Sequence, residues 1–256
     1  MAELSGKRAL VTGAGSGLGK AIAAKFVELG AQVMLSDVNE EAVEKAAAEI
    51  GAPSIKCDVS VSADVQAAIQ ATVDAFGGLD TLVNNAGIEQ VHPLVEHGEE
   101  DFEKIYAVNV RGVFLGIKYG APVIIGSGGG SIVNMASAAA LGGPAFFGVY
   151  GSTKAAVVSL TQTAAVELRD YGVRVNALCP AFIATPMVVD RAIATLGPAV
   201  EAALGRDIGT VLKEVQGRLG EPDEVAEAAA FLASDRASFI SGIGLPIDNA
   251  LTVKLI

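Results

Sequence analysis

The chain has 256 residues, 51% hydrophobic and 18% charged, enough to bury a substantial core, and this excludes disorder as the main state. Its formal net charge of −11 leaves no basic footprint, so neither nucleic acid nor an anionic membrane is an expected partner. Two cysteines (Cys57, Cys179) and two histidines (His92, His97) are too few for a disulfide framework, a thiolate zinc centre or a three-histidine site, so no metal is expected.

From the N-terminus, short β-branched or apolar runs alternate with helical patterns. Strand RALVT (8–12) precedes a helix over about 18–29, strand QVMLS (32–36), a helix over 40–49 and strand SIKCD (54–58). This alternation predicts βαβ units, a parallel sheet and an α/β fold. Val65, Ala68, Ile69, Thr72, Val73 and Phe76 share one face of a helix over 63–76, which Gly77-Gly78 stops before strand LDTLV (79–83). A helix over 101–119 puts Phe102, Ile105, Tyr106, Val113, Phe114 and Ile117 on its inward stripe, with Asn109 among them. The loop GSGGG (126–130) leads to strand SIVNM, and a helix carrying Tyr150 precedes strand VRVNAL (173–178). Residues 181–217 have Pro, Gly and weaker periodicity, which reads as a mobile, partly helical insertion over a site. A helix from Pro222 to Leu232 and a strand near 243–247 complete one domain. The opening MAELSGKRALVTG has no signal-peptide pattern, and no apolar run reaches the ~18–20 residues of a membrane span, so a cytoplasmic setting is expected.

Y-G-S-T-K sets Tyr150 and Lys154 four residues apart on one helical face, with Ser137 thirteen positions upstream. Val157, Val158, Thr161, Ala165 and Leu168 continue a buried stripe, so Lys154 falls on or beside packed surface and needs a partner there. A close positive charge favours the phenolate, and lowering a tyrosine by about 2 to 3 pH units takes roughly 3 to 4 kcal/mol. One ammonium plus a second cation could supply that. Y-x-x-x-K also arises by chance in helices, so the other motifs decide.

T-G-A-G-S-G-L-G (12–19) spaces Gly13, Gly17 and Gly19 as G-x-x-x-G-x-G. Glycines permit a tight turn and close backbone approach, and the following helix N-terminus presents free N–H groups to a pyrophosphate. Asp37 closes the second strand, where an acid accepts hydrogen bonds from both ribose hydroxyls and repels a 2′-phosphate, selecting NAD over NADP. Neither Ser16 in the loop nor Val38, Asn39 and Glu40 beyond the strand brings a positive charge. His92 and His97 fall in EQVHPLVEHGEED (89–101), where solvated loop residues are the preferred reading over substrate contact.

Taken together, T-G-x-x-x-G-x-G (12–19), Asp58-Val59, N-N-A-G (84–87), Asn109, Ser137, Y-x-x-x-K (150–154) and Thr185-Pro186 resemble the single-domain short-chain dehydrogenase/reductases over essentially the whole chain. The resemblance implies a Rossmann-type, doubly wound parallel sheet in one NAD-binding domain over 1–256, with residues 181–217 covering the substrate. Gly13, Ser16, Gly17, Leu18, Gly19 and Asp37 would hold NAD at its phosphate and ribose end. By the same resemblance Asp58 would bond the adenine amino group beside Val59, and Asn85, Ala86 and Gly87 would floor the adenosine and ribose. Ile183 and Thr185 would meet the carboxamide. Lys154 would grip the nicotinamide ribose, Tyr150 would be the general acid/base, Ser137 would hold the substrate oxygen, and Asn109 would hold a water linking Lys154 to solvent.

The implied activity is that of an NAD-dependent alcohol dehydrogenase or ketone reductase acting on CH–OH groups. A homotetramer built through helices 101–119 and 150–168 is expected, a dimer being the smaller alternative. The pocket candidates Ile88, Ala138, Ala139, Leu141, Phe146, Phe147, Met187 and Val188 are mostly apolar, which suggests an uncharged, cyclic or steroid-like small-molecule substrate. Three positions depart from the family pattern: Ala181 for a usual Gly, Asp248-Asn249-Ala250 for Asp-Gly-Gly before the tail LTVKLI, and Ala136 for a frequent Ser. Rival readings are a 3-oxoacyl carrier-protein reductase, against which Asp37 and the net charge argue, and a catalytically silent dinucleotide sensor. Retention of Tyr150, Lys154 and Ser137 argues against the sensor.

Overall fold

Each predicted strand is present, and all seven pair in parallel. The computed structural model describes residues 3–253, so the last three residues of the apolar tail lie outside the described residues. The strands are β1 (Arg8–Thr12), β2 (Gln32–Asp37), β3 (Ser54–Lys56), β4 (Thr81–Asn84), β5 (Gly130–Met135), β6 (Val173–Pro180) and β7 (Gly244–Ile247). Their order is β3-β2-β1-β4-β5-β6-β7. Starting at β1, the chain winds outward to β3, then returns to β1's other side and winds outward again.

Helices cover both faces, and for that reason the strands are apolar runs rather than alternating ones; β4 is buried at every position. On one face α1 (Gly17–Glu28), α2 (Glu40–Ile50) and α9 (Pro222–Ala233) bury Ile22, Phe26, Val43 and Val225 against Val11 and Leu35. On the other, α3 (Ser62–Phe76), α5 (Gly112–Gly126) and α6 (Gly148–Leu168) bury Ile69, Leu115, Ile124 and Ala165 against Leu10, Leu82 and Ile132.

The single helix expected over 101–119 is longer and interrupted. It runs as α4 (Glu99–Tyr106), a π-helical turn (Ala107–Arg111) and α5, without a break between Glu99 and Gly126. A π turn inserts an extra residue and slips the phase of the helix, so no one 3.6-residue stripe joins its two halves. Ile105, Asn109 and Val113 are buried as expected, but Phe102 and Phe114 are 40% and 45% exposed. By length and composition alone Glu99–Gly126 would pass for a bilayer-spanning helix. Here α5 packs on β4 and β5 and against α3 and α6, the setting of a core helix.

The region 181–217 is more helical than its sequence suggests. A π-helical turn (Met187–Ala192), α7 (Ile193–Leu204) and α8 (Ile208–Gln216) fill most of it, and Pro198 inside α7 helps explain the weak pattern.

A buried polar chain crosses the sheet behind α6. Asn84 Nδ2 donates to Asn134 Oδ1 at 2.8 Å, Asn134 Nδ2 donates to Thr161 Oγ1 at 2.9 Å, and Thr161 Oγ1 donates to Val157 O at 2.8 Å. Asn134→Leu strands the Asn84 amide in the core, and unpaired buried donors cost about 1–3 kcal/mol. Thermal or urea unfolding of this variant is expected to show that loss; unchanged stability would mean that the chain of amides contributes nothing.

Candidate active site

The carboxyl ends of the strands open into a cavity of about 960 Å³. It lies where the strand order reverses between β1 and β4, the place where open α/β sheets leave a crevice. Every strand from β1 to β6 contributes to its rim, from Gly13 and Asp37 through Asp58 and Asn85 to Met135 and Pro180.

At one end the glycine turn leaves β1 and enters α1, whose first turn carries no acidic residue. Gly13 and Gly17 have φ of 65° and 52°, the left-handed region. A Cβ on Gly13 would lie 2.7 Å from Ala86 Cα, and one on Gly19 would lie 2.1 Å from Gly13 O. The turn is thus pressed against the segment leaving β4. Asn85 helps hold it there, since its Nδ2 donates to Thr12 O at 2.9 Å and to Gly13 O at 3.1 Å. Gly13, Ser16 and Leu18 line the cavity; Gly17 and Gly19 do not, and Gly19 serves packing.

Asp37 also faces the cavity, its carboxylate accepting from Gly15 N at 3.0 Å and Asn39 N at 2.9 Å. Asp58 Oδ1 accepts from Ser60 N at 2.9 Å and Ser60 Oγ at 2.6 Å. Asp58, Val59, Asn85, Ala86, Gly87, Ile183 and Thr185 all lie on the wall.

At the other end, Lys154 is 3% exposed and its Nζ donates to Met135 O at 2.8 Å. Burial pushes the ammonium down to about 8, while the charges of Cys179 and Glu89 oppose the shift. Its Nζ lies 5.5 Å from the Tyr150 ring centroid. Ser137 Oγ accepts from Ala139 N at 3.2 Å and donates to Pro180 O at 3.4 Å. The Tyr150 phenol stands above its ordinary value, because burial raises it, the charge of Glu89 raises it further, and a hydrogen bond with Ser137 only partly offsets this. The lowering expected from the sequence is therefore not produced by the protein's own charges. Desolvation wins over the Ser137 hydrogen bond, and the charge of Glu89 adds to it.

Asn109 sits behind the wall rather than on it. Fully buried, it accepts from Ile88 N at 2.9 Å, and its Nδ2 donates to Ile88 O at 2.9 Å and Thr153 Oγ1 at 3.1 Å. A Cβ on Gly87 would lie 3.3 Å from both Asn109 Oδ1 and Lys154 Nζ, which brings the loop, the amide and the ammonium into one cluster.

Sequence reasoning missed the charges on this wall. Glu89 and Arg191 both line the cavity, and so do Phe182 and Ala192. Glu89 stands two residues after N-N-A-G, a position that could have signalled it. Arg191 depends on the phase of a π-helical turn, which no periodicity reveals. Two apolar candidates, Leu141 and Phe146, are off the wall, and Leu141 is 45% exposed. Neither histidine lines the cavity: His92 is exposed, whereas His97, expected in solvent, buries both ring nitrogens without a hydrogen-bond partner among the described residues.

A doubly wound sheet with this turn, this acid and a buried Lys–Tyr pair around one crevice has the layout of a nucleotide-dependent oxidoreductase. The family model described as Enoyl-(Acyl carrier protein) reductase matches residues 13–252. The 2,5-dichloro-2,5-cyclohexadiene-1,4-diol dehydrogenase LinX of Sphingobium indicum is 42% identical over 98% of both chains. Among solved structures, levodione reductase superposes with a TM-score of 0.90 at 34% identity, covering 97% of this chain and 98% of that one. The 3-ketoacyl-(acyl-carrier-protein) reductase of Brucella melitensis complexed with NADH gives 0.87 at 37% identity, covering 97% and 99%. The chain belongs to the short-chain dehydrogenase/reductase family, whose matching members are oxidoreductases acting on CH–OH groups.

Burial pushes the Glu89 carboxyl up to about 7 from its ordinary 4.5, against the opposing charges of Arg191 and Lys154. Between those two values the native chain keeps a proton that the unfolded chain has lost, so raising the pH through this window destabilises the native state. Glu89→Gln removes that term. The variant's melting temperature relative to the parent is expected to rise between about pH 4.5 and 7 and to level off above; a constant difference across the window would exclude a buried Glu89.

Proposed function

We propose that this chain transfers hydride between NAD and a neutral, cyclic secondary alcohol or its ketone. The observation that carries the reading is one cavity with Asp37 at one end and Ser137, Tyr150 and Lys154 at the other. The residues fit a dinucleotide. The glycine turn leaves no room for a Cβ at Gly13, the N-terminus of α1 offers unshielded N–H groups, and Asp37 presents a carboxylate with no cation following it in Val38, Asn39 and Glu40. Gly13, Ser16, Leu18 and Asp37 would hold the phosphate and ribose end, with Gly17 and Gly19 shaping the turn behind them, and Asp58, Val59, Asn85, Ala86 and Gly87 would run along the adenosine. Ile183 and Thr185 would meet the carboxamide.

When bound, the oxidised cofactor supplies a hydride acceptor and a positive charge beside the phenol. Tyr150 takes the alcohol's hydroxyl proton as the carbinol carbon loses its hydride, and returns that proton in the reverse direction. Ser137 holds the same substrate oxygen. Lys154 keeps a fixed positive charge near the phenol and would hold the cofactor ribose. Asn109 has committed both Nδ2 hydrogens and one Oδ1 lone pair to Ile88 and Thr153, so a water there would use the one acceptor position left on Oδ1. The largely apolar wall formed by Ile88, Phe147, Phe182, Met187 and Val188 favours an uncharged ring, and the diol dehydrogenase of Sphingobium indicum is a relative whose name carries a cyclic substrate. Exposed Phe102, Phe114 and Val166 on α4, α5 and α6 favour assembly through these helices, and a homotetramer is the proposed form.

Tyr150→Phe is expected to cut kcat by about 100- to 10,000-fold while leaving NADH affinity nearly intact, because only the proton transfer is lost. Equal turnover in the variant would refute the mechanism. For the cofactor, kcat/KM is expected to favour NAD over NADP, and Asp37→Ser to narrow that ratio by about 10-fold or more as ribose bonding and repulsion go together. Activity with NADP alone would overturn the role of Asp37.

A further inference from the structure

One group on the cavity wall has no part in the proton and hydride chemistry. Glu89 lies on the wall with Tyr150, Lys154 and Arg191, and its Oε1 is buried without a hydrogen-bond partner among the described residues. Glu89 shares the lining of the cavity with Tyr150 and Lys154, and its charge acts on both. A buried, unpaired acceptor is costly to keep. A partner that arrives with the substrate would satisfy it.

The surroundings select what that partner is. Lys154 and Arg191 are the cations whose charges reach Glu89, and a cationic substrate entering between them would meet repulsion. An anionic group such as a carboxylate brings only acceptors, with no hydrogen to donate to Glu89 Oε1. A neutral O–H group meets neither objection and supplies the missing donor. The rest of this end is apolar: the Phe147 ring lies 6.2 Å from that of Tyr150 and 6.3 Å from that of Phe182, with Val188 and Ala192 on the same wall. We infer that Glu89 is a specificity-determining residue that accepts a hydrogen bond from a second hydroxyl of the substrate, so that the substrates are cyclic diols rather than simple cyclic alcohols. This rests on the reading of the site as an alcohol oxidoreductase, and adds a polar anchor to it.

The effect belongs in discrimination. A site built to bond a substrate hydroxyl rejects the analogue that lacks it, because the site's own polar group is then left unpaired. The test is a substrate-by-variant cycle with NAD, read by NADH absorbance. Cyclohexanol is compared with cyclohexane-1,2-diol and cyclohexane-1,4-diol, as separate cis and trans isomers, on the parent chain, Glu89→Gln and Glu89→Leu. The parent is expected to prefer at least one diol over cyclohexanol by about 10-fold or more in kcat/KM, chiefly through KM. That ratio is expected to collapse towards one in Glu89→Leu and to fall part of the way in Glu89→Gln, whatever the absolute rates. A parent with no diol preference, or a preference that survives in Glu89→Leu, overturns the assignment while cyclohexanol turnover still supports the oxidoreductase reading. A parent that binds NADH yet oxidises none of these alcohols overturns both.

Discussion

The buried ammonium of Lys154 constrains more of this molecule than any other single group. An unpaired charge cannot be kept inside a protein at neutral pH without a large cost, and here one direct hydrogen bond, to the carbonyl of Met135 at the end of β5, meets part of it. The neighbourhood is arranged around that fact. Gly87 has no Cβ where one would crowd the ammonium, and Asn109 pins both backbone groups of Ile88 so that the loop keeps its path. The π-helical turn lets Asn109 point inward from a helix whose neighbouring positions are apolar. Beneath α6, the amides of Asn84 and Asn134 lock β4 and β5 to the helix that carries Lys154. The sheet supplies rigidity, and the carboxyl ends of its strands supply the crevice.

Legibility followed the range of the physical signal. The glycine turn, Asp37 and the Tyr150–Lys154 spacing are local patterns, each contained within one β-to-α junction or one helix, and each reads directly from the chain. Ser137 and Asn109 carry no local signal strong enough alone; they were legible through their order among the other motifs. Asn109 also stood out as an amide within an apolar stripe, and the structure explains it with three hydrogen bonds. What escaped was phase. The π turns at Ala107–Arg111 and Met187–Ala192 break the 3.6-residue rhythm, so Phe102 and Phe114 emerged at the surface and Arg191 came to the cavity unannounced. Glu89 escaped for another reason: a carboxylate in a loop reads as solvated until the tertiary fold walls it in.

Two alternative readings meet different physical objections. The similarity to a 3-ketoacyl-(acyl-carrier-protein) reductase is high, and the sheet and glycine turn alone do not separate the two activities. The separation lies at the substrate end, where Glu89 faces a largely apolar wall, and in a net charge of −11 that gives no general attraction for an acidic carrier. A silent dinucleotide sensor would have no use for Ser137 placed beside Tyr150, or for an ammonium kept buried at such cost. Both are retained.

In the proposed mechanism burial holds the Tyr150 phenol protonated until a second positive charge enters beside it. Ultraviolet difference titration of the parent chain against Tyr150→Phe, with and without saturating NAD, measures this directly. Without NAD the Tyr150 phenol should ionise above the ordinary tyrosine value of about 10, and with NAD its midpoint should fall by about two pH units or more. A phenol that already ionises near neutrality in the free protein, or one whose titration NAD leaves unchanged, would contradict the account.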